Sequence, residues 1–96
     1  MKYRQFEDLP VWKDSAKLAR RMYEFSSLNQ FTRHPGLRDQ LERAALSVSN
    51  NIAEGFERGS TNELLAFLYI ARGSAGEVRS MLKVLDGWID FSNIKI

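Results

Sequence analysis

Gln40, Arg43, Ser47, Asn50, Asn51, Glu54 and Arg58 recur at steps of three and four residues. At 100° per residue they form one stripe of amide, hydroxyl, carboxylate and guanidinium groups. The stripe lies at the edge of an apolar line, Leu37, Leu41, Ala44, Val48 and Ile52, flanked by Ala45 and Phe56. Further along, Ser74 and Glu77 fall within or beside the apolar face of a second helical segment. Antiparallel pairing of the two segments would bring them to the stripe. A buried polar group without a partner costs about 1–3 kcal/mol, so groups so placed are expected to bond one another. The chemistry this predicts is a structural network of Arg43, Ser47, Asn50, Asn51, Glu54, Arg58, Ser74 and Glu77, fixing helix register and subunit pairing. A ligand or RNA contact site and a catalytic site remain as alternatives.

Catalysis has little to stand on. His34 is the single histidine and falls in a predicted loop, and there is no cysteine. That excludes disulfides, thiolate metal sites and a histidine-based metal cluster. No phosphate-cradling Gly-rich loop, His-Glu-x-x-His helix or Gly-x-Ser-x-Gly elbow occurs. Glu54 and Glu77 as an acid–base pair would lack a nucleophile or metal partner. The expectation is a non-enzymatic protein with no catalytic, cofactor-binding or metal residues.

Basic side chains recur on faces predicted to point outward. Lys13, Lys17, Arg20 and Arg21 stripe one helix, and Arg72, Arg79 and Lys83 stripe another. Arg33 and Arg38, with His34 between them, cluster near a loop. These nine Lys and Arg residues are the candidate nucleic-acid contacts. Ordinary solvated helix surface is the competing reading, because 14 Lys and Arg stand against only 12 Asp and Glu. One stripe would hold phosphate weakly; a ring of subunits would multiply the contacts and steepen the salt dependence.

The elements that must position these groups are helices. With two prolines and six glycines, punctuation is sparse, and the apolar spacing is helical rather than alternating. Helix 1 is expected from about Leu9 to Ser26, with Asp8 as N-cap and Pro10 in the first turn. Its apolar face carries Trp12, Ala16, Ala19 and Tyr23 on one side and Val11, Leu18, Met22 and Phe25 on the other. Residues 27 to 36 read as a loop, and helix 2 as about Leu37 to Phe56. Gly59 is expected to be the left-handed residue that ends it. Helix 3 is expected over about 60–85, opened by a capping box in which Ser60 accepts from the Glu63 N–H and Glu63 reaches back. Its main apolar face is Leu64, Phe67, Ile70, Ala71, Val78, Met81, Leu82 and Leu85. A second face of small residues, Ala66, Gly73, Gly76 and Ser80, with Tyr69, suggests close contact with another helix of this chain or of another subunit. The tail 86–96 is strongly apolar, with Trp88, Ile89, Phe91, Ile94 and Ile96, which a lone monomer would not leave exposed. Ser92 could cap a fourth helix that stops too early to form.

The chain of 96 residues thus reads as one all-α domain, residues 1–96. No apolar run reaches the roughly 18–20 residues of a membrane span, and no secretory signal pattern opens the chain. No membrane association is expected, and the expected location is cytoplasmic.

Three segments carry a family resemblance. Phe6-Glu-Asp-Leu-Pro-Val-Trp12 resembles the opening of the 23S rRNA intervening-sequence protein family, also called the four helix bundle or S23 family. Gln40-Leu-Glu-Arg-Ala-Ala-Leu-Ser-Val-Ser-Asn-Asn-Ile-Ala-Glu-Gly55 resembles its central motif. Phe67-Leu-Tyr-Ile-Ala-Arg-Gly-Ser-Ala-Gly-Glu77 resembles its third-helix motif. The resemblance implies an antiparallel up-and-down four-helix bundle, here with three long helices visible and the fourth truncated or missing. It also implies a homo-oligomeric ring, typically a pentamer. Some members are encoded inside intervening sequences of 23S rRNA genes. A related branch, the accessory protein of diversity-generating retroelements, implies nucleic acid and a reverse transcriptase as partners. The function expected is RNA or ribonucleoprotein binding through basic surface; the alternative is a protein-interaction and assembly module that binds no nucleic acid. Arg43, Asn51, Glu54, Arg58, Ser74 and Glu77 match the motifs, although the family does not establish them as a ligand site.

Overall fold

The computed structural model of the chain describes residues 2–94. Three α-helices follow one another: α1 (Pro10–Ser26), α2 (Pro35–Glu57) and α3 (Thr61–Asp86). Short 3-10 turns lie before, between and after them, at Phe6–Asp8, Asn29–Arg33 and Ile89–Phe91. There is no strand among the described residues.

The helix ends follow local backbone chemistry, with some departures from expectation. Proline pushes the residue before it out of the helical region. Leu9 is accordingly extended (φ −69°, ψ 125°) and is itself the N-cap of α1. Asp8, expected in that role, lies inside the first 3-10 turn, and no side chain caps α1. Helix α2 starts earlier than expected because Pro35 takes a first-turn position, where its missing N–H costs nothing. Gly59 has φ +87° and ends α2 as expected. Ser60 caps α3 by accepting from the Glu63 N–H. The return half of the box differs: the Ser60 hydroxyl donates to Glu63 Oε1 at 2.9 Å.

Helix α2 is central and packs against both neighbours. Gly55 abuts Leu64 and Phe67, while Ser47 meets Ser74 further back, so α2 and α3 run antiparallel. Ser26, at the end of α1, meets Glu42 near the start of α2, so α1 and α2 are antiparallel as well. The molecule is a rod, 47 × 19 × 19 Å. One apolar cluster joins Ala19, Phe31, Leu41, Ala44, Ala45, Val78, Leu85 and Phe91; a second joins Val48, Ile52 and Ala71. Helices α2 and α3 approach closely at Gly55, where an added Cβ would lie 2.6 Å from the Phe67 Cβ.

The tail corrects an expectation. Phe91 is 1% exposed and packs edge-on against Phe31 at 5.0 Å, with Trp88 5.5 Å away. Ile94 joins the same cluster, so most of the apolar tail is covered by its own chain. Ile89 alone among the tail's described large apolar residues is fully outward, and Ile96 lies outside the described residues. Ser92 does not start a helix; it closes the last 3-10 turn, and no fourth helix forms among the described residues. Ile70, assigned to the main apolar face of α3, is instead exposed, as are Val11 and Tyr23 of α1.

Candidate functional site

The polar seam forms between α2 and α3, but it is shorter than the stripe. Ser47 Oγ and Ser74 Oγ are 2.8 Å apart across the two helices. Asn51 donates its amide to Ser47 O at 2.7 Å and to Ser47 Oγ at 2.9 Å. Ser74 is buried and Ser47 and Asn51 are half-buried, so the three groups satisfy one another where water is scarce. No described buried side-chain polar atom is left without a partner. Such a seam fixes register: sliding α3 by one residue rotates Ser74 by about 100° away from Ser47.

At the turn end the stripe becomes an ion cluster. Arg58 bonds Glu54 Oε1 at 3.2 Å, lies 3.6 Å from Glu63 Oε2 and covers the Phe67 ring at 5.2 Å. These groups are about half exposed, so each pair contributes only a few tenths of a kcal/mol. At the other end, Arg43 pairs with Asp39 rather than reaching across. Gln40, Arg43, Glu77 and Ser80 line an open groove of about 450 Å³ between α2 and α3. Asn50 is not part of the seam; it lines a different groove, between α1 and α2.

The basic residues separate into two groups. Arg38 is held by Glu42 at 3.2 Å, and Arg43 and Arg58 by the acids above. His34 Nε2 donates to Asp90 Oδ2, 2.8 Å away, with its ring against Trp88 at 4.7 Å. Lys13, Lys17, Arg20, Arg21, Arg33, Arg72, Arg79 and Lys83 are all exposed and form no ion pair among the described residues.

Two clusters were not anticipated from the sequence. The fully buried Ser26 hydroxyl donates to Glu42, which also receives Arg38, so the end of α1 is tied to the start of α2. The i, i+4 spacing of Arg38 and Glu42 was a visible signal; the reach from Ser26 was not. The His34–Asp90 contact spans 56 positions and joins the loop after α1 to the last 3-10 turn.

On its outer face α3 is unpartnered. Tyr69, Ile70 and Val84 are 70%, 52% and 57% exposed. Between them, Gly73 and Gly76 have no atom within 4 Å of where a Cβ would stand. Among the described residues, no helix makes the close contact that Gly73 and Gly76 suggest. Among the described residues, no three His, Asp or Glu side chains are grouped to hold a metal, and no helix is long and apolar enough to cross a membrane.

These features define an all-helical protein, an antiparallel three-helix rod with a polar seam and exposed basic edges. The chain belongs to the 23S rRNA-intervening sequence protein family, whose profile matches residues 7–88. No curated protein and no solved structure matches it.

Proposed function

We propose that this chain is a non-enzymatic, self-associating helical module that binds RNA through its basic surface, with α1 as the principal contact. One observation carries this reading: Lys13, Lys17, Arg20 and Arg21 share one exposed face of α1, with no described carboxylate holding them. Free cations on one face can each replace a counterion at a phosphate. Arg33, Arg72, Arg79 and Lys83 would extend the surface; Arg38, committed to Glu42, contributes less. A reverse transcriptase or other ribonucleoprotein would be met through the same surface, in a cytoplasmic setting. By family resemblance, the assembly is a ring, typically of five copies.

The test is retention of structured RNA across a salt series. Binding should weaken steeply with salt. The double change Lys13→Glu and Lys17→Glu should flatten the log–log slope by about 1 for each lost phosphate contact, with helicity unchanged. Absence of RNA retention even at low salt would overturn the reading. The outer face of α3 favours a second reading, an assembly module without nucleic acid. That reading predicts a defined oligomer whose mass is unaffected by the α1 charge reversals and which never retains RNA.

A further inference from the structure

We infer that the groove between α1 and α2 takes one unpaired RNA base, while the cations along its α1 edge hold the flanking phosphates. The inference rests on the RNA reading proposed above and names the feature of the RNA that is recognised. The groove has a volume of about 330 Å³, at the small end of the range for ligand pockets. Its lining mixes aromatic, small and amide groups. Phe6, from the 3-10 turn before α1, packs edge-on against Trp12 at 5.3 Å, and both rings are half-buried where they line the groove. Ala16 and Ala53 leave room beside them. Asn50 is exposed on the α2 wall. The amide of Asn51 is spent on Ser47 in the seam, so Asn50 is the amide that the groove presents. An unpaired base matches this set. Its face stacks on aromatic rings, and its edge carries a donor beside an acceptor, as an amide does.

The phosphate contacts lie directly alongside. Arg20 belongs to both surfaces: it lines the groove and stands on the exposed basic face of α1. Lys13 and Lys17 lie about 20° and 60° further round the helix from Arg20, on the side away from Ala16. From Lys13 to Arg20 is about 10 Å of helix, which matches about three phosphate steps of one strand at about 3.4 Å each. No acid is among the described residues that line the groove. The three cations have no ion-pair partner among the described residues, so the edge suits a polyanion better than an apolar side chain of a protein. A fully paired helix cannot use the groove. Its bases are stacked and their pairing edges taken, which leaves phosphate and sugar contacts alone.

Three RNA hairpins built on one stem test the inference: one fully paired, one with a single bulged adenosine, and one with an abasic residue in the bulge. The abasic hairpin keeps the phosphates of the bulge and lacks only the base. Binding to the whole chain is read by fluorescence anisotropy at one fixed salt concentration. The bulged adenosine should bind roughly fivefold to a hundredfold more tightly than the abasic bulge, the range expected for stacking one base. Ala53→Leu fills the groove and should erase that difference. Asn50→Leu, at an exposed position, is the second blocking variant should the first fold poorly by circular dichroism. Equal wild-type affinity for the adenosine and abasic bulges overturns base insertion and leaves the groove to another occupant, such as an apolar side chain of a protein. A difference that survives in a folded groove variant overturns it too, by placing the base elsewhere. In both cases RNA binding by the basic face stands. Failure to retain any of the three hairpins even at low salt overturns the RNA reading itself, and base insertion with it.

Discussion

Gly55→Ala probes a close contact between α2 and α3. Gly55 is buried, and a Cβ there would stand 2.6 Å from Phe67 Cβ and 3.3 Å from Leu64 Cα. Neither atom is the free end of a side chain, so α2 and α3 must separate locally to admit the methyl group. Overpacking of this kind costs about 1–3 kcal/mol. Alanine's better helix propensity returns about 1 kcal/mol, leaving a net loss of about 0–2 kcal/mol. Gly36→Ala is the internal control: it lies in the same helix, and nothing stands within 4 Å of its Cβ position. That variant should be neutral or gain up to about 1 kcal/mol. Urea unfolding followed by circular dichroism reads both, provided the slope with denaturant is unchanged. The midpoints should separate by the equivalent of up to about 3 kcal/mol, with Gly55→Ala the lower. If Gly55→Ala gains as much stability as Gly36→Ala, the close approach of α2 and α3 is wrong.

Other perturbations probe the remaining contacts. Asn51→Ala removes two hydrogen bonds to Ser47 and should cost about 1–3 kcal/mol by the same assay; Ser74→Ala removes one and should cost about 0.5–1.5 kcal/mol. The reverse order would disprove the seam's geometry. Ser26→Ala deprives the half-buried Glu42 of a donor and should cost about 1.5–3 kcal/mol, read as a lower urea midpoint. Phe91→Ala should cost about 3–5 kcal/mol, whereas Ile89→Ala, two positions earlier and 82% exposed, should stay within about 0.5 kcal/mol. Equal thermal shifts for these two would show that the tail does not pack as described.

Periodicity made the helices legible, since Leu41, Ala44, Ala45, Val48 and Ile52 are buried as their spacing requires. Ser60 and Gly59 also carried their own signals, a cap and a left-handed turn residue. Periodicity states which face is apolar but not how wide the partner is. Ile70 and Val11 lie on the shoulders of their stripes, and with three helices packed among the described residues they stay about half exposed. The same limit applies to the polar stripe. Asn50 and Asn51 are adjacent in sequence, yet about 100° of rotation sends Asn51 into the α3 seam and Asn50 toward α1. Long-range pairs such as His34–Asp90 and Ser26–Glu42 depend on how the helices dock, which single-helix spacing does not encode.

Gly55, Gly73 and Gly76, all in helix interiors, were equivalent as letters, and only packing separates them. Gly55 is required by its own chain, because Phe67 and the Leu64 Cα of α3 fill the space a side chain would take. Gly73 and Gly76 leave that space empty while giving up about 1 kcal/mol each in helix propensity. For a small domain whose net stability is of order 5–15 kcal/mol, a deficit of about 2 kcal/mol is a substantial fraction. The exposure of Tyr69, Ile70 and Val84 around them points the same way, since burying such side chains stabilises by roughly 1.5–3 kcal/mol apiece. A face with open backbone and unburied apolar side chains is at a disadvantage in the isolated rod, and both disadvantages reverse when a second surface closes over it. The α2–α3 seam is then the internal device that holds this face in register, so that Asn51→Ala should weaken association as well as folding, and by no more than it weakens folding. Sedimentation of Asn51→Ala beside its urea curve decides the point. A larger loss in association than in stability would place Asn51 in the contact itself and refute its role as an internal support.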